Sequence, residues 1–245
     1  MLVSFAWLQL LPTRIRPQAS GMLAPGDEPF AVVVLDPGHG GQDSGTMKAG
    51  LLEKDLALDV AHRAERLLQR QGIVTLLTRN DDTYVSLAGR AAMANEQPRC
   101  VFVSIHFDDA TRPGATGVET YYAAHQISAD PMRVLSWLPF LRRTSLEPAS
   151  LESQSLASFI QEALVTHTQA MDRGTRAQQF FVIANVHHPA VLVEGGFLTN
   201  AEEMNKLANA DYREQIAAAI CEGVMHYREV LLNQRTPLAV NLPGG

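Results

Sequence analysis

The stretch AVVVLDPGHGG, residues 31–41, decides the fold. Its apolar run, Ala31–Leu35, is typical of a buried strand, and the glycine-rich turn Asp36–Gly41 cannot continue that strand. In open α/β sheets, active sites lie where the strands reach their carboxyl ends. We therefore expect a first strand of a mostly parallel sheet, with His39 presented at its functional edge.

The rest of the chain alternates short β-branched runs with helical periods, which is typical of stacked β-α units. Predicted strands cover Ile73–Leu77, Val101–Ile105, Gly117–Tyr122, Phe180–Ala184 and Ala190–Val193. Predicted helices cover 53–71, 87–95, 151–171 and 211–232. This pattern predicts an α/β fold: a three-layer sandwich in which a mostly parallel, twisted central sheet has helices on both faces.

Composition excludes several classes of protein. The 245 residues are 46% hydrophobic and carry a net charge of −6, which argues against intrinsic disorder and against a basic surface for nucleic acid. Cys100 and Cys221 are too few for a disulfide framework. We interpret both cysteines as small buried apolar residues.

The two ends of the chain differ from its centre. Residues 1–29 form an N-terminal segment and linker, whose apolar run Leu2–Leu11 is shorter than the roughly 20 residues of a membrane span. A signal peptide normally has Lys or Arg before its apolar run, and none precedes this one. The segment is therefore interpreted either as a signal sequence or as a plain N-terminal arm. Residues 30–232 form the predicted catalytic domain, and 233–245 a C-terminal tail. We expect no stable membrane span.

Residues 123–150 lose clear periodicity around an apolar cluster at Trp137. This segment is interpreted as an insertion or a lid. The apolar cluster fits a core-packing helix, a cover over the site or a docking patch for a regulator.

Four residues that bind metals or transfer protons are candidates for one site: His39, Glu53, His106 and Glu194. Three of them follow predicted strands, and the ends of parallel strands meet at one edge of a sheet. Two imidazoles and a carboxylate are the ligands of a catalytic zinc ion with an open position for water. A second glutamate within hydrogen-bond reach can then act as the base. Scattered His and Glu also occur in structural roles, so spacing alone leaves this open.

Several segments, in order, resemble the zinc-dependent N-acetylmuramoyl-L-alanine amidases of amidase family 3. The resemblance covers about residues 31–230, and its motifs are Val34–Gly45, Glu53–Asp55, Thr78–Arg79 with Asp82, Leu87, Arg90 and Ala94–Asn95, Val103–His106, and Val191–Asn200. Carried over by position, the resemblance implies that His39, Glu53 and His106 bind one Zn²⁺ per chain. It also implies that Glu194 is the general base and acid.

The resemblance further implies a substrate: the amide between the lactyl group of N-acetylmuramic acid and L-alanine in peptidoglycan or muropeptides. We expect an exported monomer that acts in the periplasm or the cell wall. Because inserted helices occlude the site in cell-division members of the family, residues 123–150 suggest a protein activator. Two alternatives remain: a zinc peptidase or amidase of the same fold with another substrate, and a non-catalytic murein-binding regulator.

Further residues near the motifs have less specific interpretations. Asp36 fits either a partner of a ligand histidine or a turn residue that bonds its own backbone. Arg79 and Arg90 are expected to hold local loops rather than substrate. Phe107 could narrow the cleft. One histidine of the pair 187–188 could face it, although loop histidines more often face solvent.

Overall fold

The computed structural model describes residues 28–108, 114–126 and 148–235. Its strands are β1 (Val32–Pro37), β2 (Met47–Lys48), β3 (Leu51–Leu52), β4 (Val74–Leu77), β5 (Cys100–Asp108), β6 (Val118–Tyr122), β7 (Asp172–Ala177) and β8 (Ala190–Phe197). Its helices are α1 (Glu53–Arg70), α2 (Leu87–Asn95), α3 (Pro148–Thr168), α4 (Phe181–Ala184), α5 (Ala201–Ala208) and α6 (Ala210–Arg235).

Six strands form the central sheet in the order β4-β1-β5-β8-β6-β7. The first four in this order are parallel to one another, and β6 pairs with β8 antiparallel. β6 and β7 are parallel to each other. The carboxyl ends of β1, β5 and β8 therefore share one edge with the amino end of β6, and this edge carries the candidate site.

Helices cover both faces of the sheet, because alternate strand residues point to opposite sides. One face packs against α1, α3 and α6 through a core that includes Val33, Val103 and Val193. The other face packs against α2 and α4 through a smaller core that includes Phe102 and Ile183. The predicted three-layer α/β sandwich is confirmed.

The prediction of a strand over Phe180–Ala184 was wrong, since residues Phe181–Ala184 form the short helix α4. A run of Phe, Val and Ile is compatible with a strand or a buried helix. Here Val182 and Ile183 bury their side chains in the smaller core, next to α2. The edge strand β7 and the helix α5 had not been predicted.

The structure bears on some of the predicted boundaries. Helix α6 continues to Arg235, so the first three residues of the predicted tail 233–245 are helical. Helix α3 begins at Pro148, inside the predicted insertion 123–150. Residues 1–27, 127–147 and 236–245 lie outside the described part of the chain. Within that part, no helix is both long and apolar enough to cross a membrane.

Candidate metal centre and neighbouring carboxylate

His39 lies in the turn that follows β1, in a left-handed backbone conformation with φ 58°. Its Nδ1 atom is 2.9 Å from Oδ2 of Asp43, and Oδ1 of Asp43 accepts a hydrogen bond from the Gly45 N–H at 3.1 Å. If Nδ1 donates to Asp43, Nε2 keeps its lone pair, and this nitrogen faces Glu53.

Glu53 is the first residue of α1 and is 4% exposed. Its Oε1 atom lies 3.0 Å from Nε2 of His39 and 2.9 Å from Nδ1 of His106, and Oε2 accepts from the Thr46 N–H at 2.9 Å. Burial acts to raise the pKa of Glu53, but the hydrogen bonds with His106 and His39 outweigh it. The pKa falls well below its usual range.

Two glycines make room for this cluster. A Cβ atom at Gly38 would lie 2.3 Å from Cε1 of His106. A Cβ atom at Gly45 would lie 2.5 Å from Oε2 of Glu53, and the φ of 61° at Gly45 is strained for a residue with a side chain. The imidazole and the carboxylate therefore occupy space that only glycine leaves free.

The structure brings His39, Glu53 and His106 together: the strand-end argument predicted this for the two histidines, and the first residue of α1 adds Glu53. One donor atom from each residue lies within 4.8 Å of the others. Ligand atoms about 2.0–2.2 Å from a zinc ion are separated by comparable distances, and two imidazoles with a carboxylate suit zinc. These three residues therefore fit a catalytic metal centre.

A buried charged network lies behind the His39 turn. Asp36 is fully buried and accepts hydrogen bonds from Thr78 Oγ1 at 2.5 Å and Ser104 Oγ at 2.7 Å. Arg90, 3% exposed, donates through Nη1 to Asp36 Oδ1 at 2.7 Å and through Nη2 to the carbonyl oxygen of His39 at 2.5 Å. Both interpretations of Asp36 were wrong, because it anchors neighbouring elements instead of contacting a ligand ring.

Arg79 supports the same turn from the other side. It donates to the carbonyl oxygens of Pro37 at 3.0 Å and Gly38 at 2.7 Å, and to that of Lys54 at 2.8 Å. The expectation that Arg79 and Arg90 hold local loops is confirmed, since both guanidinium groups bind backbone carbonyls around the site.

Glu194 lies in β8, in register with His106 of β5 on one side and Glu119 of β6 on the other. It is 9% exposed, and within the described part of the chain its Oε2 atom has no hydrogen-bond partner. Burial, reinforced by the negative charges of Glu53, Asp108 and Glu119, raises the pKa of Glu194 well above its usual range. The result is a proton-binding carboxyl group beside the three candidate ligands.

Three other predicted neighbours do not line the site. Phe107 points into the larger core and is fully buried, so it does not narrow the cleft. His187 and His188 precede the amino end of β8, at the opposite edge of the sheet from His39. Cys100 and Cys221 are buried free thiols, as expected.

Sequence reasoning missed Asp43, Glu119 and two arginines near Glu119. The Asp43 carboxylate lies four residues after His39 in a glycine-rich turn, and this spacing is the signal that could have identified it. No comparable signal exists for Glu119, Arg173 and Arg176, because they meet only through pairing of β6 with β7.

Comparison with known proteins places this arrangement in context. A family model described as N-acetylmuramoyl-L-alanine amidase matches residues 33–226. The N-acetylmuramoyl-L-alanine amidase LytC of Bacillus subtilis (strain 168) is 35% identical over 195 residues, which are 80% of this chain but only 35% of LytC. The amidase AmiA of Escherichia coli (strain K12) is 31% identical over 228 residues, covering 83% of this chain and 78% of AmiA.

A solved structure agrees with these matches. The crystal structure of N-acetylmuramoyl-L-alanine amidase from Clostridium difficile 630 superposes with a TM-score of 0.69 at 34% sequence identity. The similarity covers 82% of this chain and 98% of that one.

Proposed function

Because this chain belongs to the N-acetylmuramoyl-L-alanine amidase family and is an amidase of peptidoglycan, we propose that it is zinc-dependent and detaches stem peptides from the glycan. The bond cleaved is the amide between the lactyl group of N-acetylmuramic acid and L-alanine. The observation that carries this proposal is the convergence of His39, Glu53 and His106 at the sheet edge that also holds Glu194, whose buried Oε2 atom has no hydrogen-bond partner among the described residues.

His39, Glu53 and His106 would hold one zinc ion through Nε2, a carboxylate oxygen and Nδ1, respectively. When bound, zinc polarises the scissile carbonyl and lowers the pKa of a water molecule. The low pKa of Glu53 keeps this carboxylate ionised and ready to bind a cation across the neutral range.

Glu194 is proposed to transfer the proton. Its ionised form takes a proton from the attacking water while the new carbon–oxygen bond forms. It then gives this proton to the alanine nitrogen as the carbon–nitrogen bond breaks, so that a free amine leaves. A raised pKa suits both steps, because the group must hold the proton between them.

The substrate determines where the enzyme must act. Peptidoglycan lies outside the cytoplasmic membrane, so we propose that the protein is exported and works in the periplasm or the cell wall. We propose that it acts as a monomer, because the candidate ligands and Glu194 come from one chain. Control by a protein activator acting on 123–150 stays a prediction, because most of that segment lies outside the described residues.

The direct test is mass spectrometry of purified peptidoglycan after incubation with the zinc-loaded enzyme. We expect free stem peptides that begin with L-alanine. Glu194→Ala and a chelator should each abolish their release. If the intact enzyme and a variant lacking residues 128–146 both release no such peptides, the substrate assignment is wrong.

Zinc dependence has its own test, Glu53→Ala. We expect the bound zinc measured by mass spectrometry to fall from one equivalent to near zero, because one of three protein ligands is lost. Activity should fall by about 1,000-fold or more, since Lewis-acid catalysis supplies several kcal/mol and 1.36 kcal/mol corresponds to about tenfold. Glu162→Ala, an exposed position on α3, is the matched control. Full zinc content in Glu53→Ala would refute the ligand assignment.

A further inference from the structure

The edge strand β7 brings two arginines to one buried carboxylate. The pairing of β6 with β7 shifts register beside Glu119, which gives β7 an extra residue there, and Gly174 adopts a φ of 79° in this interval. Arg173 and Arg176 are three residues apart and would face opposite sides of a regular strand. Because of this bulge, both Nε atoms approach Oε2 of Glu119, at 3.3 and 3.4 Å.

This group of charges lies close to the reacting centre. Glu119 is directly opposite Glu194 in the antiparallel pair β6–β8, so the two side chains are on the same face of the sheet. Adjacent strands are about 4.8 Å apart, and β7 is therefore about 10 Å from β8. The arginines thus lie at the rim of the site, on the side away from β1 and β4.

Arg173 and Arg176 both depend on Glu119 for their position. Two guanidinium groups share the single carboxylate of Glu119, whose other oxygen accepts a hydrogen bond from the Tyr121 hydroxyl. Arg173 also interacts with the charge of Glu203, whereas the ion pair of Arg176 within the described residues is with Glu119. A guanidinium group with free donors is suited to a bidentate bond with a carboxylate.

The two arginines differ in how much of the guanidinium group is available. Arg173 also donates to the carbonyl oxygen of Thr116 at 3.3 Å and lies over the ring of Phe197 at 4.7 Å. The side chain of Arg176 is 54% exposed, and its one contact within the described residues is through Nε. Both Nη groups of Arg176 can therefore bind a ligand while Glu119 keeps the side chain oriented toward the site.

We propose that Arg176 binds a carboxylate of the leaving peptide, on the residue that follows the L-alanine, and so favours acidic stem peptides over amidated ones. This inference rests on the proposed amidase function. An extended peptide advances about 3.3–3.6 Å per residue, so a carboxylate on the second residue lies about 7 Å from the cleaved nitrogen. β7 is about 10 Å from β8, but the side chain of Arg176 extends back toward β6, where its Nε atom lies 3.4 Å from Oε2 of Glu119. Because Glu119 is directly opposite Glu194, a carboxylate about 7 Å from the cleaved nitrogen is within reach of the Arg176 guanidinium group. Glu119 acts as the positioning residue for Arg176.

The experiment uses two synthetic N-acetylmuramoyl tetrapeptides that differ in one group. The second residue carries an α-carboxylate in one and an α-carboxamide in the other. For Arg176→Ala we expect KM for the carboxylate substrate to rise about tenfold, with kcat changed less than about twofold. The kcat/KM for the carboxamide substrate should stay within about twofold of wild type.

Two further variants test the geometry. Arg176→Lys keeps the charge but loses the planar fork, so it should recover only part of the affinity. Arg66→Ala removes an exposed arginine from α1, on the opposite face of the sheet, and should leave both substrates unaffected.

The outcomes separate this proposal from the function beneath it. An equal loss on both substrates in Arg176→Ala, or no loss on either, would overturn the role of Arg176. A wild-type enzyme that cleaves neither substrate, nor purified peptidoglycan, would instead refute the amidase function.

Discussion

The two halves of the site are built in opposite ways. In the half formed by β1, α1 and β5, two of the three predicted ligands are held by residues outside the ligand set: Asp43 bonds His39, and Thr46 bonds Glu53. In the half formed by β8, Glu194 is buried with an unpartnered oxygen among the described residues and faces further carboxylates. Hydrogen bonds fix the side chains of the ligand half. The half with Glu194 instead holds a buried carboxyl group whose ionisation is unfavourable.

This contrast reflects the task of each half. A metal centre needs ligands that converge before the ion arrives, because ordering them afterwards would reduce the affinity. A proton-transfer group needs a pKa shifted from its ordinary value, and burial without a partner produces that shift. We therefore expect mutations in the first half to destabilise the protein, and removal of the charge in the second half to stabilise it.

The largest effect on stability should come from Arg90→Met. Arg90 pairs with Asp36, and both side chains are buried, so the substitution leaves an unpaired carboxylate in the interior. We expect the free energy of unfolding to fall by about 3–5 kcal/mol, measured by urea denaturation of the metal-free protein. Arg63→Met, which breaks partly exposed pairs with Asp59 and Glu214, should cost about 1 kcal/mol or less.

A double variant separates charge from packing at the same position. Asp36→Asn combined with Arg90→Met should recover part of the lost stability, because no charge is left unpaired. A double variant less stable than Arg90→Met would show that the network acts through hydrogen bonds and not through its buried charge.

The next prediction concerns zinc affinity, on which we expect Asp43→Ala to have a smaller effect. Asp43 is the partner of His39 Nδ1 within the described part of the chain, so its loss removes the acceptor that keeps the proton on Nδ1 and leaves Nε2 for the metal. We expect zinc affinity, measured by chelator competition, to fall about 10- to 100-fold. Asp211→Ala, at an exposed position in α6, is the control. Unchanged affinity would mean that the turn backbone alone orients the ring.

The smallest expected effect is a gain in the free energy of unfolding instead of a loss. Glu194→Gln removes the cost of an ionised buried carboxyl group, and we expect the metal-free protein to gain about 1–2 kcal/mol at pH 7.5. The pKa of Glu194 is raised in the folded state, so its ionisation opposes folding. The free energy of unfolding of the wild-type protein therefore decreases as the pH rises from the pKa of Glu194 in the unfolded state, about 4.3, through its pKa in the folded state.

The gain should largely disappear near pH 4, where Glu194 is mostly protonated in both states. Urea denaturation at the two pH values measures the difference, and Glu162→Gln at an exposed position serves as the control. Equal stability of Glu194→Gln and wild type at pH 7.5 would contradict the conclusion that the buried charge of Glu194 destabilises the folded protein.

The sequence was enough to identify the candidate ligands, because residues at the carboxyl ends of parallel strands share one edge of the sheet whatever the order of the strands. His39 follows β1, His106 lies near the carboxyl end of β5, and parallel strands present their carboxyl ends at one edge. Glu194 was found in the same way. The resemblance to a known family then distinguished these residues from other His and Glu in the chain.

What could not be predicted depends on contacts between distant segments. The partners of Asp36 come from β5, from α2 and from Thr78 just after β4, and no local pattern encodes such a set. Strand β7 reads DRGTRA, which lacks the apolar alternation of a strand, because it lies at the sheet edge, where half of its residues are exposed and none is buried. Helix α4 was misassigned because four residues carry too little periodicity.

The glycines around the metal centre limit how this site can be varied. At position 38 any side chain would collide with the ring of His106, and at position 45 it would collide with Glu53 and His39. In a saturation library selected for activity, both positions should return to a single amino acid. Met47, two residues further along and 67% exposed, should accept many. Within this loop, positions 38 and 45 should therefore tolerate almost no substitution, whereas position 47 should tolerate many.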